Sequence, residues 1–63
     1  MPFIQVNVLK QSDIEKKKQL VAKLTDVMVE VYGVPKEAVI VALKEDELEN
    51  VGFGGVLGIE KFK

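Results

Sequence analysis

The second residue of the chain is a proline, and its position gives it a chemistry that an internal proline lacks. Met1 is followed directly by Pro2 in the opening stretch MPFIQVNVL. An initiator methionine ahead of a small residue such as proline is normally removed by methionine aminopeptidase, and its removal would leave Pro2 with a free secondary amine. Such an amine is a nucleophile and a base, and its ring restrains the direction of the nitrogen lone pair. The sequence therefore presents Pro2 as a candidate catalytic base.

The basicity of that amine depends on its surroundings. An α-amino group has an ordinary pKa of about 7.7–8.0, and an apolar pocket lowers the pKa because it disfavours the charged form. Phe3 and Ile4 follow Pro2 and are expected to supply such a pocket. A neutral amine at physiological pH is suited to taking a proton from a carbon beside a carbonyl group. The alternative is that Pro2 is simply a tolerated first residue of a strand, without a chemical role.

The residues after Pro2 predict the elements that would position it. Residues 3–9 alternate along the chain and are rich in β-branched and aromatic side chains, which predicts a strand. Ser12 and Glu15 have the spacing of a capping box, with Asp13 adding negative charge, so a helix is expected to begin there. Apolar residues then recur every three or four positions, which predicts one amphipathic helix of about 30 Å. They are Ile14, Leu20, Val21, Leu24, Val27, Met28 and Val31.

The second half of the chain predicts a return to β-structure. Gly33 fits the left-handed residue that ends a helix, and Tyr32 before it is expected to pack its ring and expose its hydroxyl. Residues 38–44 are nearly all apolar and predict a second strand covered on both faces. Strand, helix and strand together predict a β-α-β unit with parallel strands and a right-handed crossover. The glycine-rich stretch VGFGGVLG predicts a small C-terminal β-hairpin, which makes the fold class α+β.

The composition favours self-association. The 63 residues make a single domain, 1–63, and such a short chain buries only about 60% of the surface that its unfolded form exposes. There is no cysteine and no histidine to supply a disulfide or the usual zinc ligands, yet 48% of the residues are hydrophobic. A formal charge of −1 gives no basic field for nucleic acid, and no apolar run is long enough for a membrane. The N-terminus lacks the pattern of a secretion signal, so a cytoplasmic location is expected by default.

The order of these features resembles the 4-oxalocrotonate tautomerase family. The resemblance covers essentially the whole chain and lies in PFIQVNVL, SDIEKK, LVAKLTDVM, GVPKEAVIV and ENVGFGG. In that family the amino-terminal proline is a general base that moves a proton between carbon and oxygen, or between two carbons, of an enol or dienol acid. The resemblance implies a cofactor-independent keto–enol isomerase with Pro2 as base. It also implies a homohexamer, a trimer of dimers, with sites at the subunit boundaries.

The chain departs from the family at the residues that bind substrate. Well-studied members use two arginines and an aromatic residue, and this chain contains no arginine. Gln11 and Ser12 stand at the first arginine, Ile40 at the second and Val51 at the aromatic position. Bidentate guanidinium forks for a dicarboxylate are therefore missing. We expect a small enol or 2-hydroxydienoate with less charge instead.

Other residues are candidates to replace those contacts. Lys10 is predicted to supply a cation, Ser12 a hydroxyl, the glycine-run amides an oxyanion site, and Phe53 a wall of the pocket. Each has a structural alternative, since Lys10 can be a solvated strand end, Ser12 a helix cap and Phe53 a contact between subunits. Two other functions stay open at this point. One is a non-catalytic scaffold or binding relative with the same fold, and the other is an unrelated small oligomerisation module.

Overall fold

The computed structural model describes residues 2–10 and 13–62. Strand β1 is Phe3–Leu9, helix α1 is Ile14–Tyr32 and strand β2 is Ile40–Asp46, and these make the larger layer of the fold. The chain then continues through β3 (Gly52–Phe53), β4 (Val56–Leu57) and the short helix α2 (Gly58–Lys61). Single 3₁₀ turns at Lys36–Ala38 and Leu48–Asn50 precede β2 and β3. No helix within the described ranges is both long and apolar enough to cross a bilayer.

Strands β1 and β2 pair in parallel, which confirms the predicted β-α-β unit. The register runs from Phe3 opposite Ile40 to Leu9 opposite Asp46. Residues 4, 6 and 8 of β1 are less exposed than their neighbours, as expected for the face that α1 covers. The other face carries Phe3, Leu9 and Ile40, which are 61%, 42% and 42% exposed, and nothing within the described residues covers it. The predicted cover on both faces of the second strand is therefore wrong for one chain alone.

The second strand begins two residues later than its sequence pattern predicts, at residue 40 instead of 38. The residues before it close a 3₁₀ turn, in which the Ala38 N–H donates to the Pro35 carbonyl at 3.0 Å and the Val39 N–H donates to the Lys36 carbonyl at 3.1 Å. Those donors are used within the turn, so they cannot enter the ladder with β1. The strand also extends through Asp46, since Lys10 N–H donates to the Asp46 carbonyl at 2.9 Å.

The ends of α1 confirm one prediction and change another. The N-cap is Asp13, whose carboxylate accepts the N–H groups of Glu15 and Lys16 at 3.0 and 3.3 Å. The carboxylate of Glu15 lies 3.4 Å from the amine of Lys18. Ser12, the predicted cap, lies outside the described residues. At the other end Gly33 has φ +67°, as predicted, and its N–H donates to the Val29 carbonyl at 2.9 Å.

Residues 48–62 form a separate small unit, which we call the arm. The predicted hairpin is present as β3 and β4, and Gly54 and Gly55 turn the chain with φ of +59° and +87°. Helix α2 was not predicted, and it folds back so that the Phe62 ring meets the Phe53 ring edge-on with 5.4 Å between centroids. The arm packs chiefly against itself. Because the longest dimension of the chain is 43 Å and α1 spans only about 28 Å, the arm projects beyond the β-α-β unit.

A single chain leaves much of its apolar surface exposed to solvent. Within the described ranges no hydrophobic side chain is fully buried, and the accessible area is 4999 Å² where a compact 7.0-kDa chain would have about 4,000 Å². The radius of gyration is 14.9 Å, against about 11 Å for a compact domain of this length. The large exposed apolar side chains lie on the open sheet face, on α1 and on the arm. A flat, two-layer chain of this kind requires cover from other molecules.

Gly58 tests whether the arm is a packed unit. A Cβ at this position would lie 2.9 Å from the Leu48 carbonyl oxygen and 3.2 Å from the Phe53 ring. We expect Gly58→Ala to lower the free energy of unfolding by about 1–3 kcal/mol, because the backbone oxygen cannot move aside. Gly52→Ala is the control, since its Cβ would meet only the Val56 carbonyl at an ordinary 3.7 Å. Urea unfolding at one fixed protein concentration makes the comparison, and equal losses in the two variants would contradict this account of the arm.

Candidate functional site

Pro2 is held at the amino end of the parallel pair. Its carbonyl oxygen accepts the N–H of Ile40 at 3.0 Å, which starts the contact between β1 and β2. Proline has no N–H to contribute to a ladder, and at the first position before the strand none is required. The residue is half-buried in the single chain.

A groove of about 510 Å³ opens beside Pro2, and we call it the Pro2 groove. Its lining residues are Pro2, Phe3, Met28, Tyr32 and Val34. Among these five residues, only tyrosine has a polar side-chain group. In the single chain this groove is open to solvent on its outer side. A neutral proline base would therefore need further cover, which another copy of the chain could supply.

The Pro2 groove differs from its sequence-based prediction in one wall. Phe3 lines it as expected, but Ile4 does not, and the end of α1 supplies Met28 and Tyr32 instead. Helix α1 crosses back over the sheet so that β2 can start beside Pro2, and this brings its last turn over the amino end of β1. The parallel pairing could have predicted this placement. In a parallel pair, the connecting helix has to end near the start of the first strand. Hydrophobic periodicity alone does not single out these residues from the rest of the apolar face.

Ile40 is the predicted substrate-binding residue that the structure brings closest to Pro2. It is the register partner of Phe3, and its side chain is 42% exposed on the open face of the sheet. The Ile40 N–H is hydrogen-bonded to the Pro2 carbonyl, so the two residues are neighbours at the amino end of the pair. The Ile40 side chain can make van der Waals contact with a ligand, but it has no charge with which to bind a carboxylate.

Lys10 lies at the opposite end of β1. It lies seven positions after Phe3, which is about 23 Å of extended chain. Its N–H donates to the Asp46 carbonyl at 2.9 Å, and its amine lies 3.2 Å from the Glu47 carboxylate. Lys10 thus cannot reach the Pro2 groove of its own chain. Ser12, the next candidate, lies outside the described residues.

Val51 and Phe53 belong to the arm and are also distant from Pro2 in one chain. The Val51 carbonyl accepts the Gly58 N–H at 2.6 Å, while the Phe53 ring packs against Phe62 and lies 6.0 Å from the Lys61 amine. The arm follows the carboxyl end of β2, and Pro2 is at the amino end. The predicted residues therefore form two groups, with Pro2 and Ile40 at one end and Lys10, Val51 and Phe53 at the other.

The cations at the carboxyl end of the sheet have acidic partners. Besides the Lys10–Glu47 pair, the Lys17 amine lies 2.8 Å from the Glu45 carboxylate. Both members of this second pair are less than a third exposed, at 28% and 29%, so the pair also ties α1 to β2. Paired lysines present much less net positive charge to a ligand than free ones do.

Comparisons with known proteins bear on the family and the fold of the chain. The model of the family described as tautomerase enzymes matches residues 2–58. A probable tautomerase of Listeria innocua is 38% identical over 56 residues, which cover 89% of this chain and 92% of that protein. The 2-hydroxymuconate tautomerase of Comamonas testosteroni is also 38% identical over 56 residues. The match covers 89% of this chain and 89% of that protein.

Solved structures give the same result for the fold. TomN, a 4-oxalocrotonate tautomerase homologue in the tomaymycin biosynthetic pathway, superposes with a TM-score of 0.91 at 31% identity. The match covers 97% of this chain and 94% of that one. The similarity thus extends over the β-α-β unit and the arm together.

Proposed function

The chain belongs to the tautomerase family of enzymes, and from that membership we propose that it is a cofactor-independent keto–enol isomerase in which Pro2 is the general base. The observation that supports this role is the position of Pro2 in an apolar groove at the start of β1. Removal of Met1 is part of the proposal, because an amide nitrogen has no useful basicity.

The proposed reaction needs only one proton and one base. The neutral Pro2 amine takes a proton from a carbon beside a carbonyl group, and the electron pair of the broken C–H bond forms the C=C bond of an enolate. The protonated amine then returns the proton to the oxygen or to another carbon. Every atom is recovered in the product, so no cofactor or co-reactant enters the balance. The apolar groove assists because it disfavours the charged amine in the resting enzyme.

We propose a substrate with at most one carboxylate. The residue beside Pro2 in the second strand is the uncharged Ile40, the chain has no arginine, and Lys10 and Lys17 are paired with carboxylates. A dianion would lose its hydration without gaining the charge-assisted hydrogen bonds that offset the loss. A small enol or 2-hydroxydienoate fits these groups better than a dicarboxylate such as the 2-hydroxymuconate named for the Comamonas relative.

We further propose that the working site is shared between copies of the chain in a homohexamer, a trimer of dimers. The exposed apolar surface of the sheet, α1 and the arm supports self-association. The separation of Pro2 from Lys10 supports a shared site, because only another copy could bring the carboxyl end of a strand to the Pro2 groove. In this arrangement neighbouring chains contribute Lys10, Ser12, Val51 and Phe53 around Pro2 and Ile40.

The first prediction concerns the base. Protein that retains Met1, as judged by intact mass, is expected to show no isomerisation of enol substrates, since its Pro2 nitrogen is an amide. Pro2→Ala is expected to lose about 100-fold or more in kcat/KM, because the ring no longer directs the lone pair. Pro35→Ala is the matched control, since it changes the other proline of the chain at the 3₁₀ turn. Full activity in the Met1-bearing form would refute Pro2 as base.

The second prediction concerns the substrate. We expect kcat/KM to be higher for the monocarboxylate 2-hydroxypenta-2,4-dienoate or the neutral enol of acetylacetone than for the dicarboxylate 2-hydroxymuconate. Ile40→Arg is expected to lower KM for the dicarboxylate by about 10-fold, the effect of one charge-assisted hydrogen bond. Ile40→Leu serves as the uncharged control. A wild-type preference for 2-hydroxymuconate would contradict the proposed substrate class.

The third prediction concerns assembly. Sedimentation at micromolar concentration is expected to give a mass of six chains of 7.0 kDa. Ile59→Asp, which puts a charge on an apolar arm residue that is 50% exposed, is expected to shift the protein toward smaller species. Gln19→Asp introduces the same charge at an exposed polar position of α1 and is expected to leave the mass unchanged. A wild-type monomer would contradict both the assembly and the shared site.

A further inference from the structure

We propose that the hydroxyl group of Tyr32 is a second catalytic group of the Pro2 groove, donating a hydrogen bond to the substrate oxygen on which negative charge develops. This inference rests on the proposed function of Pro2. An enolate formed by removal of a proton from carbon carries its charge largely on oxygen, and a donor directed at that oxygen is a large contribution to such reactions. The family's arginines are absent from this chain, so the donor has to come from other residues.

The lining of the Pro2 groove restricts the choice of donor within one chain. Phe3, Met28 and Val34 have apolar side chains, and the Pro2 nitrogen is assigned to the base. Lys10 is about 23 Å away along β1, and it is engaged with Glu47. Tyr32 therefore holds the one polar side-chain group among the lining residues of this groove.

Within one chain the Tyr32 hydroxyl is open to a ligand. The side chain is 70% exposed, and the hydroxyl makes no hydrogen bond within residues 2–10 and 13–62. By contrast, the hydroxyl of Thr25, two turns earlier on α1, donates to the Val21 carbonyl at 2.8 Å. One hydroxyl of the helix is thus used by the fold, whereas the other belongs to an exposed side chain that lines the Pro2 groove.

The position of Tyr32 is fixed by the end of the helix. Tyr32 is the last residue of α1, and Gly33 turns the chain immediately after it with φ +67°. The Gly33 N–H donates to the Val29 carbonyl at 2.9 Å, which ties this turn to the preceding one. Val34 then becomes the next wall of the groove. The backbone therefore fixes the Cα and Cβ of Tyr32 at the edge of the groove, and the hydroxyl has no hydrogen-bond partner among the described residues.

A phenol also suits the proposed substrate class. It is a neutral donor at physiological pH, so it stabilises a developing oxyanion without requiring a permanent anion on the substrate. The proton that leaves carbon passes to the Pro2 nitrogen and is returned from there, while the phenol keeps its own proton throughout. A ketone or a monocarboxylic enol can use both the Pro2 amine and the Tyr32 hydroxyl. A second carboxylate on the substrate would find no binding partner in this pair.

The first test replaces the hydroxyl and keeps the ring. Tyr32→Phe is expected to lower kcat for enol isomerisation by about 100-fold with little change in KM, as for loss of one oxyanion donor. Thr25→Val, which removes the other described hydroxyl of α1, is the matched control and is expected to keep the wild-type kcat. Sedimentation and thermal unfolding of Tyr32→Phe establish that its assembly and fold are intact. A kcat equal to that of the wild type would overturn the proposal.

The second test needs no mutation, because Tyr32 is the only tyrosine of the chain. Growth on 3-fluorotyrosine replaces this one residue, and fluorine makes a phenol more acidic at almost unchanged size. If the protonated hydroxyl is required, the loss of kcat at alkaline pH is expected to begin at a lower pH in the fluorinated protein, because the fluorophenol gives up its proton more readily. A residue that only packs would leave the profile in place, and that result would overturn the proposal even if Tyr32→Phe failed to assemble.

The two proposals fail in different ways. If Pro2→Ala and the Met1-bearing protein are inactive while Tyr32→Phe retains full kcat, the base is correct and the role of Tyr32 is wrong. If the Met1-bearing protein retains full activity, the assignment of Pro2 fails first and the Tyr32 proposal fails with it.

Discussion

The hydrogen bond from the Ile40 N–H to the Pro2 carbonyl is the contact on which the rest of the arrangement depends. It starts the parallel pairing of β1 with β2 and so fixes where α1 must end. A parallel pair requires its connection to return to the start of the first strand, and the last turn of α1 is therefore placed over Pro2. The same pairing sends the arm away from Pro2, because it follows the opposite end of β2.

The lack of cover over the apolar surface follows from this flat arrangement. A two-stranded sheet with one helix has one face protected, and the residues of the other face remain exposed in a single chain. The arm adds aromatic contacts, but they are made within the arm. The exposed apolar face therefore accounts both for the driving force for association and for the completion of the proposed site. Covering the open face is what can bring the carboxyl end of one strand to the amino end of another.

The proposed base and the proposed substrate class depend on different electrostatic features of the chain. A proline base requires an apolar surrounding, and the Pro2 groove offers one. Recognition of a dicarboxylate would require opposing charge, and Lys10 and Lys17 are instead engaged with Glu47 and Glu45. In the function proposed for this chain, proton transfer and charge recognition therefore depend on different residues.

The sequence by itself determined β1, α1, β2 and the hairpin in their order, but not helix α2, because local signals are strong in the first four and absent in the last. Alternation specified β1 at residues 3–9, Gly33 marked the end of α1, and Gly54 and Gly55 marked the hairpin. The start of β2 was displaced by two residues, since the turn at residues 36–38 uses backbone donors that no apolar pattern reveals. Only the tertiary structure decided which side chains share a site. Within one chain it placed Pro2 and Tyr32 along the same groove and Lys10 at the other end of the sheet, because proximity across a crossover depends on the path of the backbone and not on spacing along the chain.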